Sequence, residues 1–195
     1  MNKSTIAYYD AHAEEYAERT RYVYMFDIRM QFLKYLDPAG RILDAGCGGG
    51  RDTKIFMENG YTVDAFDASA EMCRVASEYT GEDIVCCDFE DFTSRYAYSG
   101  IWASASLCHL TEDEFFAFFK KFTNYLSRDG VIYFSMKSGI PDGYDEDGRW
   151  YLGFDDGRLA RILKENPELK RAEYWKTDDN LERDITWVNV ILQLR

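Results

Sequence analysis

The sequence predicts an α/β fold in three layers, a mostly parallel sheet between two layers of helices. Three observations predict it. Short apolar strands alternate with helical patterns from residue 41 to 136, the pattern of βαβ units. A glycine-rich turn joins the first of those strands to the first of those helices. The chain has 195 residues, 46% of them hydrophobic, enough to fill one substantial core. The expected organisation is a single domain over 1–195. It comprises N-terminal helices over 1–37, a core over 41–136, and a loop, helix and closing β-hairpin over 137–195.

The elements follow in order. Ile6, Tyr9, Ala13, Tyr16 and Ala17 recur at helical spacing, so a helix is expected over about 4–19. A second is expected over about 22–36, stopped by Asp37-Pro38-Ala39-Gly40. Residues 41–45 read as a strand, 51–59 as a helix ended by Asn59-Gly60, and 61–66 as a second strand. Ser69 caps a helix over 69–78; 84–87 and 100–103 are strands. Thr111-Glu112-Asp113-Glu114 has the form of a capping box and opens a helix to about Leu126. Asp129-Gly130 reads as a turn and 131–136 as the fifth strand. Residues 138–157 read as a long loop over one edge, followed by a helix over 155–164. Strands over 169–176 and 184–194, joined at 177–180, form an antiparallel hairpin.

Composition excludes several function classes. The formal net charge is −12, and no basic run exceeds two residues. A nucleic-acid binder or a binder of anionic membranes needs a basic patch, so neither partner is expected. No run approaches the roughly 18 apolar residues of a membrane span, and the N-terminus lacks the apolar centre of a signal peptide. The five cysteines are odd in number and contain no CxxC pair, which fits reduced thiols in the cytoplasm rather than disulfides or zinc. With only two histidines, no metal is expected. Asp178-Asp179-Asn180 reads as a solvated turn at the wrong end of its strands for a magnesium site.

The chemistry concentrates at Leu43-Asp44-Ala45-Gly46-Cys47-Gly48-Gly49-Gly50. A glycine-rich turn opening a helix lets backbone amides approach an anionic group, whether a pyrophosphate or an amino-acid carboxylate. The spacing separates these. Dinucleotide loops run G-x-G-x-x-G, whereas the residue three beyond Gly48 is Arg51. Asp44, two residues before the first glycine, can accept hydrogen bonds near an ammonium group. Asp67, 23 residues after Asp44 at the end of the second strand, suits the two hydroxyls of a ribose. Asp88 can accept from an adenine amino group, and Phe89 or Met72 can pack on the base. For Asp88 a loop acid, and for Met72 helix packing, remain alternatives.

The order Asp44-x-Gly-x-Gly-x-Gly, Asp67, Asp88-Phe89 and then Ile101 to His109 resembles the class I S-adenosylmethionine-dependent methyltransferases over about 35–136. Within that class it is similar to small bacterial proteins of the tellurite-resistance type. The segments Gly148-Arg149-Trp150-Tyr151 and Thr186 to Val190 resemble the same group less specifically. The resemblance implies a Rossmann-like seven-stranded sheet whose last strand is antiparallel, with the N-terminal helices as a lid. It implies S-adenosyl-L-methionine as cofactor. Asp44, Ala45, Gly46, Cys47, Gly48 and Gly50 would hold its methionine part, Asp67 and Ala68 the ribose, and Met72, Asp88 and Phe89 the adenine. Ala103 and Ser104 would flank the sulfonium. The Asp/Asn-Pro-Pro-aromatic motif of nucleic-acid amino-methyltransferases is replaced by Ser104-Ala105-Ser106-Leu107.

The expected reaction is in-line methyl transfer to a small-molecule acceptor. Its main requirement is alignment, worth roughly 7–11 kcal/mol. His109 is the candidate general base, with loop anchoring as the alternative. Tyr9, Tyr16, Lys137, Arg149, Tyr151, Arg183 and Trp187 are the candidate acceptor residues, each with an ordinary packing or salt-bridge alternative. A cofactor-binding regulatory domain without turnover and a nicotinamide-dependent oxidoreductase are the competing functions. Monomer and homodimer are both open.

Overall fold

The computed structural model describes residues 2–38, 40–179, 181 and 184–195. The chain starts with α1 (Lys3–Ala11), α2 (Ala13–Arg21) and α3 (Phe26–Leu33). The expected first helix is therefore two. At His12, φ −126° and ψ 20° leave the helical region. The His12 imidazole Nδ1 donates to the Tyr8 carbonyl at 2.8 Å, satisfying an acceptor at the break.

The alternation then runs as the apolar pattern predicts. It comprises β1 (Arg41–Ala45), α4 (Arg51–Glu58), β2 (Thr62–Asp67), α5 (Ala70–Thr80), β3 (Val85–Cys86) and β4 (Tyr98–Ala103). A single 3₁₀ turn at Leu107–His109 precedes α6 (Glu112–Phe122) and β5 (Leu126–Lys137). Short β6 (Gly143–Tyr144) and β7 (Trp150–Tyr151) form a ribbon, followed by α7 (Asp156–Glu165), β8 (Leu169–Asp178) and β9 (Thr186–Leu194). Local signals hold at several ends. The Ser69 side chain accepts from the Met72 amide, and Thr111 with Glu114 makes the full capping box.

Seven strands form one sheet in the order β3-β2-β1-β4-β5-β9-β8. All neighbours from β3 to β5 are parallel, and β9 is antiparallel to both β5 and β8. So β8 points the same way as β5. The buried stretches of β1, β4 and β5 have helices on both faces, which is why their burial does not alternate. One face packs Phe115, Phe118, Phe119 and Phe122 of α6 against Phe66, Phe89 and Phe134. The other packs Phe32 and Phe56 against Trp102 and Tyr133, the last two rings stacked at 4.0 Å.

Two expectations need correction here. Asp129-Gly130 lies inside β5 as an irregularity: the register jumps between Tyr98↔Leu126 and Gly100↔Val131, and Asp129 has φ 60°. The segment 138–157 is not a featureless edge loop. It carries the β6–β7 ribbon and folds back toward the end of β4, where Leu152 N donates to Cys108 O at 2.7 Å. No helix among the described residues is long and apolar enough to cross a membrane.

From β1 the chain builds outward through β2 to β3, then returns to the other side of β1 to start β4. The gap this reversal leaves at the carboxyl ends of β1 and β4 is where ligands bind in such sheets.

Candidate active site

A cavity opens at that switch point. The glycine loop forms its floor. Gly46 N and Cys47 N both donate to the Phe66 carbonyl at 3.0 Å, which ties the loop to β2. Two glycines are required by close approach. A Cβ on Gly46 (φ +79°) would lie 2.5 Å from the Ser106 Cβ, and one on Gly49 would lie 2.6 Å from the Ala17 Cβ. The loop thus rests directly against α2.

Two acids fix the floor. Asp44 is 2% exposed, and Thr53 Oγ1 donates to it at 2.6 Å. Burial, reinforced by the nearby Asp52 carboxylate, pushes its pKa up to about 7. A cation placed beside it would restore the charged form. Asp67 accepts from Gly48 N at 2.9 Å through Oδ2 and from Ser69 N at 3.0 Å through Oδ1. Burial raises its pKa, opposed by the Ser69 and Gly48 amides. A carboxylate has about four acceptor sites, so Asp67 can still accept from a ligand hydroxyl.

The cavity wall brings together most of the residues singled out in the sequence. Asp44, Gly46, Cys47, Gly48, Asp67 and Ala68 line the floor side. Met72, Phe89 and Ser104 line the adjoining wall. Met72 is only 1% exposed and packs chiefly with Ala13, Ala17 and Val75. Ala45, Gly50 and Ala103 stand behind the lining: Ala45 and Ala103 are fully buried, and Gly50 is the left-handed N-cap of α4. Asp88 is also outside the lining. Its Oδ1 accepts from Glu90 N at 2.9 Å and Asp91 N at 3.0 Å, an Asx turn that holds Phe89 in place.

Opposite the floor, the candidate acceptor residues converge. Tyr9, Tyr16, His109, Lys137, Arg149 and Tyr151 line this side, and Trp187 the neighbouring one. His109 Nδ1 faces the Trp150 carbonyl at 2.8 Å, so it carries the proton and donates. The lone pair is then on Nε2, which accepts from the Tyr9 hydroxyl at 2.8 Å. Burial holds the His109 pKa down to about 4, and burial drives that of Tyr9 well above the usual phenol value. Lys137 Nζ sits 3.4 Å from the centre of the Tyr151 ring. Arg149 bonds Asp145 at 2.8 Å and Asp147 at 2.9 Å and lies over Tyr8 at 4.4 Å. Arg183 lies outside the described residues.

The helices α1 and α2 close the cavity. On one rim Ser4 Oγ donates to Gly148 O at 2.7 Å and Trp150 N donates to Thr5 Oγ1 at 2.9 Å. On the other, Asp10 accepts from Ser69 Oγ at 2.6 Å, beside Asp67.

Some lining residues escaped the sequence reading. Asp52 gathers Arg29, Arg51 and the Trp102 indole at 2.7, 2.7 and 3.0 Å, and the two guanidinium groups hold its pKa low against the cost of burial. An acid in the first turn after the glycine loop was the available signal. Ser106 Oγ donates to Ala45 O at 2.7 Å, clamping β4 to β1, with no local signal. Asp178 and Asp179 also line the cavity, contrary to the expected turn at the wrong end. The reason is topological: β8 points the same way as β5, so its carboxyl end lies at the switch-point side. Asp179 Oδ1 accepts from Trp187 Nε1 at 2.8 Å. No group of three His, Cys, Asp or Glu suited to a metal occurs among the described residues.

Comparison with known proteins follows this geometry. Residues 42–130 match the family model described as a methyltransferase domain. No curated protein sequence matches the chain. A 1,6-didemethyltoxoflavin N1-methyltransferase from Burkholderia thailandensis was solved with 1,6-didemethyltoxoflavin and S-adenosylhomocysteine. It superposes with a TM-score of 0.80 at 18% identity over 98% of this chain and 87% of that one. The N-methyltransferase NodS of Bradyrhizobium japonicum WM9, solved with S-adenosylhomocysteine, gives 0.72 at 15% identity over 99% of each chain. The [4+2]-cyclase SpnF gives 0.68 at 14% identity over 86% of this chain and 80% of that one, so the fold also carries other chemistry. The glycine cradle, with an acid on either side, fits the amino-acid and ribose ends of S-adenosylmethionine. The match over 42–130 is to a methyltransferase domain, and the fold around it is the Rossmann-like fold of the S-adenosylmethionine-dependent methyltransferases to which the chain is similar.

Proposed function

We propose that this protein methylates a small-molecule acceptor in the cytoplasm, acting as one domain over 1–195. The observation that carries the reading is the single cavity running from the glycine loop and Asp67 to Tyr9, Lys137 and Tyr151 under α1 and α2. Helices α1 and α2 are latched on both rims of that cavity, and the net charge of −12 opposes nucleic acid. Five free cysteines support a reducing compartment.

The residues divide by task. The amides of the glycine loop and the Asp44 carboxylate receive a zwitterionic amino-acid end, and Asp67 receives the ribose hydroxyls. Phe89, fixed by the Asp88 turn, packs on the adenine. Bound there, S-adenosylmethionine supplies a methyl group on a positively charged sulfur, an electrophile that needs no metal. Ser104 at the end of β4 borders the reacting centre. Tyr9, Tyr16, Lys137, Arg149, Tyr151 and Trp187 orient the acceptor opposite the donor and exclude water. His109 anchors Tyr9 and the ribbon through its two ring nitrogens.

The test is a panel of small acceptors incubated with methyl-labelled cofactor and read by S-adenosylhomocysteine formation. Label transfer to a small molecule, lost in Asp67→Ala, is the expected result. Binding without transfer to any small acceptor, or transfer to RNA or protein instead, overturns the reading.

A further inference from the structure

We propose that the acceptor is a small aromatic oxyanion, a carboxylate or acidic phenolate, held by Lys137 and the Tyr151 hydroxyl. This deepens the proposed function and rests on it.

The first argument is an inventory of groups that could take a proton from an acceptor. His109 is committed at both nitrogens, donating to Trp150 O and accepting from Tyr9. Desolvation and the neighbouring Arg149 and Lys137 oppose its protonation. Tyr9 and Tyr151 are held as neutral phenols by burial. Asp145 is engaged by the Arg149 side chain and by the Arg149 and Asp147 amides. None of these groups is set up as a base, whereas Lys137 places an ammonium on this wall. An acceptor that arrives already deprotonated needs no base.

The second argument is the wall itself. In a chain with twelve excess negative charges, Lys137 and Arg149 both face this side of the cavity. The ammonium lies on the Tyr151 ring, and Tyr9 packs edge-on to Tyr16 at 5.1 Å. These rings give flat apolar surface beside a positive charge, suited to a planar anion. Asp178 and Asp179 on the β8–β9 side repel an anion and direct it to the Lys137 wall.

The balance closes without proton transfer. An oxygen lone pair of the acceptor forms the bond to the methyl carbon while the carbon–sulfur bond breaks and its pair stays on sulfur. Anion and sulfonium cancel, giving a methyl ester or ether and a thioether, both uncharged. The product then loses its attraction to Lys137, which favours release.

The test uses the full chain with ¹⁵N-imidazole label, since His12 and His109 are its only histidines. S-adenosylhomocysteine is added first; failure to bind at this step refutes the methyltransferase reading itself. Benzoate is then titrated against benzamide at pH 7. The expected result is saturable movement of the His109 signals by benzoate alone, and at least tenfold weaker binding in Lys137→Met. Lys137→Arg keeps benzoate binding within threefold, and all variants retain cofactor-product affinity. Equal response to benzamide, no response to benzoate, or unchanged benzoate affinity in Lys137→Met overturns the proposal.

Discussion

Asp44→Asn separates two properties that the native carboxylate couples, stability of the free protein and affinity for the cofactor. The folded pKa of about 7 stands against an ordinary 3.8. An acid whose pKa is raised on folding stabilises the fold only while it stays protonated. The stability present at pH 4 is therefore lost as pH rises through 7. Three decades at 1.36 kcal/mol each make the loss about 4 kcal/mol. Asparagine is neutral and can still accept from Thr53. The free variant should melt above the native protein at pH 8, with the gap closing toward pH 4. With saturating S-adenosylhomocysteine the order should reverse, because the ligand ammonium loses its carboxylate. A group with a pKa near 7 is about half protonated at pH 7. Calorimetric titration in two buffers of different ionisation enthalpy should show about half a proton more released by the native protein than by the variant. Equal melting of the free proteins at pH 8 would refute the raised pKa, and equal proton release would refute the assignment of Asp44 to the ammonium.

Three other perturbations bear on the lid and its anchor. Gly49→Val places a side chain where the Ala17 Cβ stands only 2.6 Å away. It should lower both melting temperature and S-adenosylhomocysteine affinity, with partial recovery in Gly49→Val/Ala17→Gly; no recovery would mean that the loop, not the α2 contact, had failed. His109, depressed from 6.5 to about 4, should remove about 3 kcal/mol of stability as pH falls from 6.5 to 4. An imidazole titration near 6.5 for His109 would contradict this. Tyr9→Phe leaves the buried Nε2 without its donor and should cost roughly 1–3 kcal/mol. Faster proteolysis ahead of Ala13 should accompany it, and an unchanged digestion pattern would separate Tyr9 from the latch.

The parts legible in the sequence are those set by short-range chemistry. The glycine loop, the Ser69 cap, the Thr111–Glu114 box and the apolar β1, β4 and β5 each declare themselves within a few residues. Asp67 followed from its distance to the loop. The parts that were not legible depend on tertiary placement. The break at His12 carries no proline or glycine, and β6 and β7 are two-residue strands whose ribbon is tied to α1 through Gly148, Trp150 and Tyr144. Asp178 and Asp179 face the cavity only because β9 inserts between β5 and β8. Tyr9 and His109 were both singled out, yet their mutual hydrogen bond spans 100 positions, beyond any local signal.

Calorimetric titration of the native chain with S-adenosylhomocysteine, beside NADH, tests the central claim most directly. The account predicts micromolar binding of S-adenosylhomocysteine, none of NADH, and loss of binding in Asp67→Ala with the circular dichroism spectrum preserved. Binding of NADH in place of S-adenosylhomocysteine, or undiminished affinity in Asp67→Ala, would contradict it.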